Sequence, residues 1–189
     1  MKKIIISSVV ALIISCPVIA QKKISFSSKN YFGIMAGENG TNPLLQTING
    51  IKFSNWFTGI GTGFDWYYQR SIPLFISIDR SVLLKPRRNI IFSADAGANF
   101  PWKYKQFDSG FNYGNSKLVS GFYWATGLGY RIGVGKQSDA VLLHIGYTNK
   151  LYKEKIAYTN PCLVSPCPVS NESYNYNLKA VSVKIGYGF

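Results

Sequence analysis

The stretch NLKAVSVKIGYGF, residues 177–189, closes the chain and decides how the rest of it is read. Val181, Val183, Ile185, Tyr187 and Phe189 fall on every second position, with Ala180, Ser182, Lys184, Gly186 and Gly188 between them. Period two marks a β-strand, whose successive side chains point to opposite faces of a sheet. One face here is bulky and apolar; the other is small or polar. Glycine, alanine and serine suit the crowded interior of a small closed barrel, whereas lipid accepts aliphatic and aromatic side chains outside. The apolar face is therefore expected to point outward and Lys184 inward.

The same alternation recurs upstream. Residues 58–68 set Ile60, Thr62, Phe64, Trp66 and Tyr68 against Gly59, Gly61, Gly63, Asp65 and Tyr67. Residues 122–131 set Phe122, Trp124, Thr126, Leu128 and Tyr130 against Tyr123, Ala125, Gly127, Gly129 and Arg131. Residues 73–83, 92–100 and 141–148 follow the same rule and place Asp79, Asp95 and His144 inward. Residues 31–36 and 45–54 repeat it more faintly, with Lys52 inward. The glycines at 59, 61 and 63 form no nucleotide loop, because such a loop needs a following helix and no helical period follows. The expected fold is all-β, an eight-stranded antiparallel up-and-down transmembrane barrel. Short connections near Asn55, at 85–89 and at 133–139 fall at the end that holds the termini. The connections 37–43, 69–72, 101–117 and 149–175 fall at the other end and include the two longest, the asymmetry of outer-membrane barrels.

Residues 1–20 read as a cleaved signal peptide. Lys2 and Lys3 precede the apolar run 4–14, and Val18-Ile19-Ala20 resembles a cleavage site. A rival cut before Cys16 loosely resembles a lipoprotein box. The apolar run is shorter than the ~18–20 residues of a spanning helix. Any membrane crossing must then use a barrel, since only helices and closed barrels satisfy their backbone hydrogen bonds in lipid. Residues 21–189 are expected to form one barrel domain. The formal charge is +13, two lysines of which lie in the leader. Export argues against a nucleic-acid partner and toward the phosphates of outer-membrane lipid and lipopolysaccharide.

Three groups of side chains stand out. Lys52, Arg131 and Lys184 share the inward face with Asp65, Asp79 and Asp95, and are expected to form a structural charge network, because an unpaired charge in a narrow lumen is costly. Cys162 and Cys167, with prolines at 161, 166 and 168, are expected to pair as a disulfide within the long outer segment. Lys103, Lys105, Lys117, Lys150, Lys153 and Lys155 flank the two longest outer connections among Trp102, Tyr104, Phe107, Tyr113 and Tyr152. They offer contacts to lipopolysaccharide phosphates or to a surface ligand. No His or Cys cluster has metal-ligand spacing, and no catalytic residue, cofactor site or metal site is expected.

The signal peptide, the glycine and aromatic alternation, and the terminal KIGYGF ending on Phe189 resemble the small outer-membrane β-barrel family of Gram-negative bacteria, OmpX-like and similar in size to the OmpA membrane domain. The resemblance implies that Tyr187 and Phe189 belong to a C-terminal sorting signal read by the barrel-assembly machinery. It places the chain in the bacterial outer membrane with a structural or surface-interaction role and no sizeable pore, since eight strands enclose little more than their own side chains. Lipid A deacylases of this size pair a histidine with a serine two positions on; here His144 is followed by Gly146. The alternative reading is a secreted lipocalin-like barrel with the faces reversed, binding a small apolar ligand.

Overall fold

The structure is a computed structural model that describes residues 24–102, 114–134, 139–159 and 169–189. Among these residues it is built from β1 (Ser25–Gly37), β2 (Gly40–Phe53), β3 (Trp56–Asp65), β4 (Ser71–Lys85), β5 (Arg88–Pro101), β6 (Gly114–Val119), β7 (Gly121–Gly133), β8 (Ala140–Thr159) and β9 (Val169–Gly188). All pairings are antiparallel. The order β8-β7-β5-β4-β3-β2-β1-β9 closes on itself through β8 and β9. Eight strands thus form a ring, with β1 held against the closing strand from Lys29↔Gly188 to Gly37↔Ala180. The signal-peptide reading of residues 1–20 and the disulfide reading of Cys162 and Cys167 lie outside the described residues.

The short strand β6 continues β7 and shares its partner, β8. The register steps between Val119↔Lys153 and Tyr123↔Lys150, so residues 120–122 face only 151–152. This bulge exchanges the two faces: odd positions point inward on β7, whereas Leu118 packs inward on β6. Beyond the ring, β6, β8 and β9 form a three-stranded extension at the end opposite the termini.

Three connections differ from the sequence reading. The turn formers at 37–43 reduce to Glu38 and Asn39, because Gly40 to Pro43 pair with β1 as far as Ile34↔Pro43. Pro43 is tolerated there because β3 has ended: its last partners on β2 are Leu44↔Asp65. Segment 149–175 was expected to be irregular, yet β8 runs on to Thr159 and β9 begins at Val169. Segment 101–117 likewise contains the start of β6. At the terminal end the turns are tight. Ser54 and Arg87 adopt left-handed φ of 54° and 66°, and Pro86 occupies the preceding corner of the Lys85↔Arg88 turn, where its fixed φ is preformed.

The outward face carries a belt of aliphatic side chains. Ile60 is 64% exposed and Ile76 60%, and Ile145, Val183 and Ile185 are similarly open. Aromatic pairs border this belt. Phe64 lies against Trp66 and Trp102, and Trp124 against Tyr147, toward the extension. Tyr187 and Phe189, with Trp56 under the Arg80 guanidinium at 5.3 Å, lie toward the termini. Trp56 and Phe64 are separated by about 26 Å of strand, close to the ~9–11 residues of a membrane-crossing strand.

Candidate functional site

The interior is where the chain concentrates its chemistry. Two apolar clusters occupy it. Tyr31, Ile48, Phe57, Phe75, Ile91 and Leu142 pack toward the terminal end, and Met35, Leu44, Tyr67, Tyr152 and Leu178 toward the extension. Aromatic rings of this size fit because glycines face them. A Cβ at Gly61 would collide with the Phe75 ring, and one at Gly127 with the His144 imidazole. Gly61 and Gly127 are therefore seats for large side chains, whereas a Cβ at Gly63 would meet the backbone of β2.

Three buried lysines thread between the clusters, each with an oxygen acceptor and an aromatic face. Lys29 is ion-paired with Asp79, and its ammonium sits 3.6 Å from the centre of the Phe57 ring. Lys150 donates to Asp65 Oδ2 at 2.7 Å and to the Tyr67 carbonyl at 3.1 Å, with the Tyr67 ring 5.5 Å away. Lys184 donates to Gln46 Oε1 at 2.8 Å and lies 5.2 Å from the Tyr31 ring. An ammonium taken out of water needs such partners, because the loss of hydration is otherwise uncompensated.

Of the six charged residues assigned to the lumen from sequence, Asp65, Asp79, Asp95 and Lys184 are buried inside the ring. Lys52 and Arg131 line a cavity at the terminal-end mouth instead. The two cations that complete the ion pairs were not among the six. Lys29 precedes the first strand expected from sequence and Lys150 was expected to flank an outer connection, yet they are 7% and 1% exposed. Asp95 faces Ser77 in register and keeps Oδ1 without a hydrogen-bond partner. A cavity of about 20 Å³, the room of a single water, adjoins Gln46, Asp65 and Lys184.

Ser93 and His144 form a pair that sequence spacing could not show. The two residues sit on β5 and β8, and β7 runs between them. The imidazole lies across Gly127, where no side chain intervenes, and its Nε2 meets Ser93 Oγ at 2.7 Å. Nδ1 is buried and lacks a partner. A serine nucleophile needs a base that a third group orients, and here no carboxylate reaches the second ring nitrogen. Among the described residues no group of three His, Cys, Asp or Glu side chains is placed to hold a metal ion.

On the extension, Lys117, Lys153 and Lys155 are exposed on the outward face. Lys117 is directly opposite Lys155, and Lys153 lies two residues along the same face of β8. Like charges facing each other across a ladder disfavour the pairing. The inner face of the extension carries a stacked pair, Tyr152 and Tyr176, with ring centres 4.7 Å apart and planes within 9°. The Tyr176 hydroxyl donates to Glu154 at 3.2 Å.

The outward face is thus aliphatic while the interior holds apolar clusters together with buried charges, an arrangement that speaks against the lipocalin-like alternative with its faces reversed. No family model matches the chain, and no curated protein matches it. Among solved structures, the chain is similar to the solid-state NMR structure of the outer membrane protein AlkL in DMPC lipid bilayers. The TM-score is 0.52 at 11% identity, over 90% of this chain and 92% of that one. A likeness at this identity speaks for the fold alone: an all-β antiparallel barrel.

Proposed function

We propose that this chain is an outer-membrane β-barrel of a Gram-negative bacterium, with a structural or surface-interaction role and a lumen closed by its own side chains. The observation that carries this reading is the exposed aliphatic belt on a ring without free edges, which is costly in water and stable in lipid. The termini then lie in the periplasm and the three-stranded extension outside the cell. Tyr187 and Phe189 end the closing strand at the periplasmic rim, where a sorting signal for the barrel-assembly machinery belongs. The stacked clusters and buried ion pairs favour a plugged barrel over a channel, and the unoriented His144 favours a non-enzymatic role. The purified chain is expected to show heat-dependent gel mobility, to need detergent for solubility, and to give no steady conductance in planar bilayers. Stable single-channel currents would overturn the plugged reading, and solubility without detergent the membrane reading.

The lysine triad on the extension supports a partner for the surface role. Lys117, Lys153 and Lys155 sit just beyond the outer aromatic border, at the height where lipopolysaccharide phosphates would lie. Exchanging all three for glutamine is expected to cut the lipopolysaccharide that co-purifies with the protein by about tenfold, since each charge-assisted contact contributes roughly 1.5–3 kcal/mol before compensation by water and salt. Unchanged retention would remove this partner.

A further inference from the structure

We infer that the β4–β5 hairpin at the terminal end is a docking surface for anionic phospholipid headgroups of the periplasmic leaflet, with Arg80, Lys85, Arg87 and Arg88 holding the phosphates. This role rests on the membrane reading of the barrel. Among the described residues the hairpin overhangs its neighbour on one side. β4 pairs with β3 only as far as Trp56↔Arg80, and one further backbone bond runs from the Ser81 N–H to the Asn55 carbonyl at 2.7 Å. Val82 to Lys85 have β5 alone beside them. An open strand edge is not tolerated in hydrocarbon, so the overhang belongs at the level of headgroups and water.

Its side chains suit that level. Val82 and Leu84 are exposed and follow Ile76, Ile78 and Arg80 on the outward face of β4, so they prolong the aliphatic belt past the border marked by Trp56. Arg80 covers the Trp56 ring, and Lys85, Arg87 and Arg88 are exposed at the tip. Residues 80–94 carry these four basic side chains and no acid. The outward positions paired beside them, Trp56 on β3 and Tyr130 and Ile132 on β7, carry none either. Leu84 lies about 13 Å of strand beyond Arg80, or about 10 Å of depth at the usual tilt of 35–45°. A headgroup layer of about 5–8 Å is thus within reach of long basic side chains that fold back along their apolar stems. The turn is also held in place: the Arg87 carbonyl accepts the Gly133 N–H at 2.8 Å, and Arg88 pairs with Ile132. An acidic protein would match the charges, but not the continuity of Val82 and Leu84 with the lipid-facing belt. Guanidinium groups beside an ammonium suit the oxygens of a lipid phosphate.

Trp56 is a reporter already in position. With Trp66, Trp102 and Trp124 replaced by phenylalanine, the full chain is refolded into phosphatidylcholine vesicles containing either brominated phosphatidylcholine or brominated phosphatidylglycerol. Bromine on the acyl chains quenches a tryptophan only at close range. Quenching by the phosphatidylcholine probe tests the membrane reading by itself, and the ratio of the two probes tests the docking surface. Phosphatidylglycerol is expected to be enriched at Trp56 about fivefold or more, and the enrichment to fade at high salt. Lys85→Gln, Arg87→Gln and Arg88→Gln together are expected to bring the ratio near unity with heat-dependent mobility intact. Lys117→Gln, Lys153→Gln and Lys155→Gln, at the other end, are expected to leave it unchanged. A ratio near unity before the hairpin is altered, or an enrichment that survives the hairpin substitutions, overturns the inference, while the phosphatidylcholine signal still reports whether the belt lies in lipid.

Discussion

Replacing Lys150 with methionine is expected to destabilise the folded barrel by about 3–5 kcal/mol, the cost of leaving one member of a buried ion pair without its partner. Lys150 is 1% exposed and Asp65 is 5% exposed. The ammonium also donates to the Tyr67 carbonyl and, at 3.4 Å, to Ser71 Oγ, so three acceptors lose their donor at once. Asp65 would keep the Tyr67 N–H at 2.7 Å, which softens the loss without replacing the charge. Methionine retains the length and apolar stem of lysine, so the loss of packing is small. A second change, Asp65→Leu in the Lys150→Met background, is expected to recover a large part of the stability, because it removes the stranded carboxylate. Urea titrations in lipid vesicles, followed by the gel-mobility difference between folded and unfolded chains, measure the parent chain, the two single variants and the double variant. A single variant costing under about 1 kcal/mol, or a double variant costing as much as the two singles added, would show that the pair is not coupled.

The faces of the strands were legible in the sequence because the period-two signal is strongest where one side must be apolar. Ile60, Ile76, Val183 and their neighbours are outward, and the inward glycines at 61 and 127 lie under Phe75 and His144. The signal weakens beyond the aromatic border, where neither face has to be apolar. Residues 149–159 and 169–175 read as irregular for that reason, although a long ladder from Asn149↔Lys179 to Thr159↔Val169 holds them as strand. Turn formers misled at 40–43, since pairing with β1 overrides local preference there. The candidate site was half legible. Alternation placed Asp65, Asp79, Asp95 and Lys184 inward, but it cannot say which residue of another strand lies across the lumen. Asp79 meets Lys29, fifty positions away, and Asp65 meets Lys150, eighty-five away. Both lysines sit beside segments that look like leader or loop when read alone. Ser93 was hidden from His144 for the same reason: their contact depends on the bare backbone of β7 between them.

Ile76→Arg is expected to cost about 2–4 kcal/mol in a bilayer, the penalty for arginine near the midplane of a lipid-facing strand. Ile76 is 60% exposed and pairs with Ile60 and Ala96 on its two sides, so the outward space it occupies is filled by apolar neighbours alone. The chain itself supplies the control. Four residues along the same face, Arg80 is already exposed at the level of Trp56, whose ring it covers at 5.3 Å. An arginine is thus accommodated at the aromatic border, where its head reaches phosphate and water. Val82→Arg, two residues further toward the terminal end, is accordingly expected to change stability by no more than about 1 kcal/mol. A soluble barrel would show no such gradient, since an exposed surface substitution usually shifts stability within about ±0.5 kcal/mol wherever it is made. The comparison of Ile76→Arg with Val82→Arg, in the same vesicles and by the same urea titration, therefore separates a belt that is merely exposed from one immersed in lipid. Equal and small effects at both positions would place the aliphatic belt in water and remove the physical basis for the membrane reading.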